Sequence, residues 1–374
     1  AFIFDSSKGV IFLNEDKVHE RFMKLAIVIA KKGIGFVNPN PPVGAVIVKD
    51  GKILSMGYHK YYGGYHAERD AILSALNAGI DISGSTMYVT LEPCDHYGKT
   101  PPCTDLIIQS GIKEVYIACT DPNPISGNGA EKLRKNGVDV HIGLLEEEAR
   151  ELAKFFFKSV ETGIPYVTLK YAATLDGKIA DVNGNSKWIT DELRKVVHKL
   201  RSEHMAVLVG AGTVIKDNPT LNVRFLKSKK RNPIKVVLDK RGVIFEKIKD
   251  LNVFQGEKVI VFTEKQVSAP ELNGVNGVKI FNVLEPIEIL KTLYKEERVD
   301  SVLVEGGSEI FSQFLPFADE IYGFYGLKAL GKGKGIFENI VNFIDSPFDF
   351  SIKHFKVSKN KKEFLVVMKR CSQG

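Results

Sequence analysis

The sequence predicts two α/β domains in one chain, and three observations carry that expectation. Short β-rich runs alternate with helical runs from residue 17 to near the C-terminus, the pattern of layered α/β folds. Gly163-Ile164-Pro165 interrupts the alternation, and a new strand pattern starts at Tyr166. A length of 374 residues suits two to three domains. The expected division is 1–16 as a leader or tail, 17–163 as the first domain and 164–374 as the second. No repeat relates the two halves.

In the first domain, Val18, Phe22, Leu25, Ala26 and Ile29 recur at helical spacing and predict a helix over 17–32, stopped by Gly33 and Gly35. The loop Asn38-Pro39-Asn40-Pro41-Pro42 follows, stiffened by its prolines. Asp50-Gly51 predicts a hairpin of 43–48 with 52–57. Ala67, Ala71, Ala75 and Ala78 predict a helix over 66–78, whose N-terminus favours an ionised Glu68. Residues 86–91 form a predicted strand ended by Glu92-Pro93, and Cys103 leads into a helix over 104–110. Strand 114–119, helix 130–136, strand 138–141 and one long helix over 144–160 complete this half. The second half predicts strands at 166–170, 205–210, 234–239, 258–263, 300–305, 319–325 and 362–369. Its helices are expected over 190–201, capped by Thr190, and over 285–298 and 308–315.

Composition narrows the function classes. Apolar residues are 44% and charged residues 26%, so each domain can bury an ordinary core. The net charge of +7 fits an anionic small molecule or cofactor as well as nucleic acid. The basic run Lys227-Ser228-Lys229-Lys230-Arg231 has no interleaved aromatics, so it reads as a solvated loop and no nucleic-acid partner is expected. No apolar run approaches the roughly 18 residues of a membrane span, so no membrane partner is expected. Four cysteines without a paired framework point to a reducing, cytoplasmic setting. Cys119 reads as core and Cys371 as an exposed tail residue.

The chemistry concentrates in residues 66–103. His66-Ala67-Glu68 is followed by Pro93-Cys94 and then by Pro101-Pro102-Cys103. Zinc accepts one imidazole and two thiolates and keeps a fourth position for water, whose pKa it lowers to about 7. Glu68, two residues from the imidazole, can shuttle a proton. H-x-E with P-C-x-x-C is the signature of zinc deaminases. Here eight residues separate Cys94 from Cys103. A structural zinc would more often take four protein ligands and would leave Glu68 without a task. In the second half, Val302-Leu303-Val304 runs into Glu305-Gly306-Gly307 and a helix from Ser308, a turn that can cradle phosphate without being G-x-G-x-x-G. Gly331-Lys332-Gly333-Lys334-Gly335 could also touch phosphate, although a flexible loop is the simpler reading. Lys240-Arg241, two cations after a strand, could meet a phosphate or form a charged turn.

The run Cys94-Asp95-His96-Tyr97-Gly98-Lys99-Thr100-Pro101-Pro102-Cys103, with His66-Ala67-Glu68, closely resembles the bifunctional riboflavin-biosynthesis deaminase–reductase family, in which this wide cysteine spacing is characteristic. The resemblance continues through Pro39-Asn40-Pro41, Asp121-Pro122-Asn123-Pro124, Leu175-Asp176-Gly177, Ser186-Lys187-Trp188-Ile189-Thr190, Gly212-Thr213, Asp217-Asn218-Pro219 and Val304-Glu305-Gly306-Gly307. It spans roughly residues 17–370 and leaves 1–14 outside. It implies an N-terminal cytidine-deaminase-like α/β/α zinc domain and a C-terminal dihydrofolate-reductase-like α/β domain. The implied reactions are deamination at C2 of 2,5-diamino-6-ribosylamino-4(3H)-pyrimidinone 5′-phosphate, then NADPH reduction of the ribosyl to a ribityl side chain.

The resemblance also implies roles for particular residues. His66, Cys94 and Cys103 would hold Zn2+, and Glu68 would carry the proton. Asn40, His59, His96 and Lys99 would contact the phosphorylated pyrimidine. Lys170, Ser186, Arg201, Leu221, Arg224 and Glu305 would line the second substrate site, with Arg201 and Arg224 suited to its phosphate. Ala172, Trp188, Thr213, Asp217, Gly307 and Ser308 would meet NADPH, and Asp217 would also assist proton transfer. Homo-oligomers, dimers or tetramers, would form through the second domain. Two departures stand out: Asp95 where many relatives carry Ser, and Arg69-Asp70 where an apolar residue often follows the triplet. They bear on substrate affinity more than on the reaction. A nucleoside or RNA-base zinc deaminase with an accessory binding domain is the alternative.

Overall fold

A computed structural model describes residues 2–5, 9–12, 15–97, 101–126, 128–226, 231–256, 258–268, 272, 274–337 and 348–371. Lys99 and residues 227–230 of the basic run lie outside the described residues. The chain divides into two compact units, Ala1–Thr162 and Gly163–Gly374.

The first unit begins with a hairpin of β1 (Phe2–Asp5) and β2 (Gly9–Phe12), then α1 (Glu15–Ala30). β3 (Gly44–Lys49) and β4 (Lys52–Tyr58) form the expected hairpin, with Asp50 and Gly51 both at positive φ, 51° and 72°. α2 (Ala67–Asn77), β5 (Thr86–Leu91), α3 (Cys103–Gln109), β6 (Glu114–Cys119), α4 (Gly129–Lys135) and β7 (Asp139–Ile142) follow. The five strands order as β4-β3-β5-β6-β7, parallel from β5 onward. One face buries Ala67, Ala71, Ile107 and Leu133 from α2, α3 and α4. The other buries Phe22, Met23 and Ala26 from α1. The expected long helix over 144–160 is two helices, α5 (Glu146–Leu152) and α6 (Lys154–Thr162). Ala153, at φ −102° and ψ 21°, leaves helical space between them. Phe156 and Phe157 of α6 then join the same core as α1.

The second unit opens with β8 (Tyr166–Thr174), β9 (Lys178–Ala180), α7 (Asp191–Glu203), β10 (Ala206–Gly210), α8 (Ala211–Asp217), β11 (Ile234–Leu238), β12 (Val259–Phe262) and β13 (Val278–Phe281). It continues through α9 (Pro286–Glu297), β14 (Ser301–Val304), α10 (Ser308–Phe314), β15 (Glu320–Gly326), β16 (Lys334–Gly335), β17 (Phe350–Val357) and β18 (Glu363–Arg370). Nine strands make one sheet in the order β13-β12-β11-β10-β14-β8-β15-β18-β17. The run from β13 to β15 is parallel, and β18 and β17 add antiparallel strands. Every residue of β10, β11, β12 and β14 is buried, as parallel strands covered on both faces require. Thr190 does occupy the N-cap of α7, but its side chain makes no capping bond. Its hydroxyl donates instead to Glu363 of β18, and its N–H donates to the same carboxylate at 2.7 Å.

Candidate active sites

In the first unit, the end of β5 and the starts of α2 and α3 bring three ligand atoms together. His66 is the N-cap residue of α2, and Cys103 is the first residue of α3. His66 Nδ1 lies 3.4 Å from Cys94 Sγ and 3.6 Å from Cys103 Sγ. Zinc–sulfur bonds of about 2.3 Å and zinc–nitrogen bonds of about 2.0–2.1 Å at a tetrahedral angle put N and S about 3.6 Å apart. Both nitrogen–sulfur distances therefore match a tetrahedral zinc ion, and all three ligand atoms lie within 4.8 Å of one another. Cys103 hydrogen-bonds to Cys94 and holds the Cys94 thiol well below its ordinary range, so one sulfur is primed to lose its proton.

Glu68 is 3% exposed, one residue into α2. Burial pushes its carboxyl up to about 7, against the pull of the His66 charge. Desolvation thus offsets the helix end, which was expected to favour an ionised Glu68. A carboxyl poised near neutrality suits proton exchange. His59 is buried nearby, its ring 5.6 Å from that of His66. His59 Nδ1 donates to the carbonyl of Tyr65 at 2.8 Å, and Asn40 Nδ2 donates to His59 Nε2 at 3.2 Å. Burial lowers the pKa of His59, which keeps this neutral tautomer in place. Asn40 and His59 are therefore one hydrogen-bonded unit. His96 Nδ1 is buried with no partner among the described residues.

The two departures take up structural work. Asp95 accepts from Thr104 Oγ1 at 2.9 Å and pairs with Lys132 at 2.5 Å, pinning the cysteine loop to α3 and α4. Arg69 donates to the carbonyl of Pro101 at 3.1 Å. Both brace the loop that carries Cys103.

In the second unit, Lys170 on β8, Arg201 on α7 and Glu305 after β14 meet in one ionic cluster. Arg201 grips Glu305 with two bonds, Nε to Oε1 at 2.6 Å and a terminal nitrogen to Oε2 at 2.9 Å. Lys170 Nζ stands 3.6 Å from Glu305 Oε2. Burial would raise the Glu305 carboxyl, but the Arg201 and Lys170 charges outweigh it and hold it at about 2. Burial lowers the pKa of Lys170.

Two expected substrate residues have particular surroundings. Arg201 is engaged by Glu305 and also donates from Nη1 to the carbonyl of Asn222 at 3.3 Å, while Arg224 is exposed. Leu221 has φ 53° and is 2% exposed, packed with Val209 and Val237, so only its backbone can face a ligand. Ser186 and Asp217 are exposed, and Ser308 is buried at the start of α10. Trp188 donates from Nε1 to the carbonyl of Ile179 at 2.8 Å. Ala172 and Thr213 are half-buried, on β8 and α8. Lys240 lies 3.6 Å from Glu264, each on an exposed turn.

Two sets of contacts escaped the sequence. His198 Nδ1 accepts the N–H of Arg224 at 3.1 Å and so positions that arginine. Burial, then the Arg201 and Arg224 charges, lower His198 to about 4, which keeps it an acceptor. Asp176 accepts the N–H groups of Leu330 and Gly331 at 3.0 and 2.7 Å, tying that loop to the turn after β8. Leu175-Asp176-Gly177 marked the position; the partner lay 155 residues away.

Residues 16–119 match the cytidine and deoxycytidylate deaminase zinc-binding region. Residues 165–344 match the RibD C-terminal domain. The riboflavin biosynthesis protein RibD of Aquifex aeolicus is 43% identical over 95% of this chain and 99% of its own. That of Bacillus amyloliquefaciens is 42% identical over 82% of this chain and 84% of its own. The crystal structure of a Thermotoga maritima diaminohydroxyphosphoribosylaminopyrimidine deaminase/5-amino-6-(5-phosphoribosylamino)uracil reductase superposes with a TM-score of 0.88 at 52% identity, covering 96% of this chain and all of that one. Acinetobacter baumannii RibD gives 0.86 at 32% identity, with 96% and 100% covered. These matches run through both halves, so a nucleoside or RNA-base deaminase with an accessory binding domain is not favoured. The chain belongs to the RibD family, the bifunctional riboflavin-biosynthesis enzymes that join a zinc-binding deaminase domain to an NADPH-dependent reductase domain.

Proposed function

We propose that His66, Cys94 and Cys103 hold one zinc ion and that Glu68 carries the proton of the deamination. The observation behind this is the tetrahedral spacing of 3.4 and 3.6 Å beside a buried carboxyl. Bound zinc supplies a water acidified to about 7. Glu68 takes one proton from the attacking water and gives it to the pyrimidine ring nitrogen; it then moves the second proton from the hydroxyl on the tetrahedral carbon to the amine, which departs as ammonia as the carbonyl forms. The Asn40–His59 pair orients the ring, and the unpaired nitrogen of His96 accepts or donates to the substrate. Lys99, within the cysteine loop, meets the ribosyl phosphate.

In the reductase half, NADPH supplies the hydride that converts the ribosyl to the ribityl chain. Lys170 and Glu305 face the sugar, with Ser186 and the Leu221 backbone beside them. Arg201 keeps Glu305 ionised and aimed, and Arg224 holds the phosphate. Ala172, Trp188, Thr213, Gly307 and Ser308 border the cofactor, and Asp217 also assists proton transfer. The chain acts in the cytoplasm as a homo-oligomer joined through this half. The edge strand β17 supports such a joint, because Ile352, Phe355 and Val357 are exposed on it and sheet edges can pair with another strand.

The test of the order is direct. Incubation with the diaminopyrimidinone ribosyl phosphate releases ammonia without NADPH, and NADPH oxidation follows only after deamination. NADPH oxidation preceding ammonia release would refute the order. Cys103→Ser lowers bound zinc from about one per chain to near zero by elemental analysis; zinc retained at full stoichiometry would remove Cys103 from the ligand set.

A further inference from the structure

Two glycines in the second unit have no internal reason to be glycine. A Cβ on Gly306 would meet the Ile310 side chain at 2.5 Å, and one on Gly210 would meet it at 3.0 Å, so packing explains both. A Cβ on Gly212 would meet nothing within 4 Å. A Cβ on Gly307 would meet a single atom, Lys334 Nζ at 3.9 Å. Neither residue has a positive φ, and Gly212 lies inside α8, where glycine costs about 0.5–1 kcal/mol relative to alanine. Both lie just past the C-terminal ends of the adjacent parallel strands β10 and β14. That edge is where open parallel sheets bind ligands. Missing side chains that the fold does not need leave room for another molecule to approach the backbone.

Among the described residues, the atom that approaches a Cβ on Gly307 belongs to the ammonium of Lys334, an exposed side chain. Lys334 is held there from two sides. It pairs with Ala180 across the β9–β16 ladder, and Asp176 clamps Leu330 and Gly331, four and three residues earlier. No carboxylate among the described residues pairs with Lys334. The segment Gly331–Gly335, which the sequence alone presents as a flexible loop, thus delivers a cation to a glycine-floored crevice.

We propose that Lys334 binds the diphosphate bridge of the dinucleotide over Gly212 and Gly307. This rests on the reading of the second half as the cofactor-binding half. It separates Lys334 from Lys240 and Arg241, which follow β11, two strands from β14. A diphosphate contact weakens NADPH and NADH alike, because both carry the bridge. A 2′-phosphate contact weakens NADPH alone.

The test titrates the zinc-loaded full chain with NADPH and with NADH. Lys334→Ala raises both dissociation constants about tenfold, the size expected for one charge-assisted contact, and Lys334→Arg restores most of the loss. The deaminase rate stays unchanged and reports that the variant is intact. Gly307→Ala weakens both dinucleotides without moving the melting temperature, since its Cβ meets no packed atom. Unchanged constants in Lys334→Ala, or a loss confined to NADPH, would overturn the assignment. Failure of the wild-type chain to bind either dinucleotide would instead bring down the cofactor reading itself.

Discussion

Glu68→Gln loses deamination by about 10³-fold or more and keeps its zinc. The amide is close to the carboxylate in size, and His66, Cys94 and Cys103 are untouched. What disappears is the carboxyl proposed to exchange the proton, and positioned general acid–base groups contribute about 10²–10⁴-fold. The environment of Glu68 strengthens the expectation: burial pushes its carboxyl to about 7, where both protonation states are accessible at neutral pH. Ammonia release and metal content together check the result. Turnover near the wild-type rate with zinc bound would give the proton to another group. The reductase half serves as an internal control, because NADPH oxidation with the deaminated substrate continues at its normal rate.

Glu305→Ala destabilises the reductase half far more than its surface charges would. It leaves Arg201 and Lys170 in place with 12% and 17% of their side chains exposed and no counter-charge from Glu305. Removing one partner of such a buried pair costs about 3–5 kcal/mol, or about 10 °C in the melting temperature of a unit of this size. The same carboxylate sets an acid limit. Its folded pKa of about 2 lies below the unfolded value of about 4.3, so folding is favoured by its ionised form. That stabilisation is fully present above the unfolded value and is lost as pH falls from there toward 2. Calorimetry from pH 7 downward shows the reductase transition falling steeply in that window for the wild type and much less for Glu305→Ala. Parallel curves for the two proteins would mean the cluster does not set the acid limit.

Much of the fold was legible because it depends on local pattern. The Asp50-Gly51 hairpin, the strands at 86–91 and 114–119 and the apolar runs of the parallel sheet each declare themselves within a few residues. The cluster of His66, Cys94 and Cys103 was legible for the same reason: residue type and spacing suffice to single it out. What was not legible depends on distance or on single backbone angles. Ala153 leaves the helix without any change in apolar period. β17 was missed because its side chains are exposed on both faces and its register shifts between Ile352 and His354. The acidity of Glu68 depends on how deeply α2 is covered, which outweighs its place at a helix start. The bond of Arg201 to Glu305 spans 104 positions, so no local motif could show it.

The place of β8 in the nine-stranded sheet has a consequence for how the chain is made. The first unit pairs β5 with β3 and β6, neighbours that are synthesised close together. Its last helix ends at Thr162, so it can fold while the rest is still on the ribosome. β8 is the first strand of the second unit, yet its partners are β14 and β15, with Tyr166 opposite Ser301. It must wait exposed, an apolar strand without a sheet, until those strands emerge. Premature termination before Ser301 therefore yields a folded deaminase trailing an aggregation-prone tail, and the reductase half depends on complete translation.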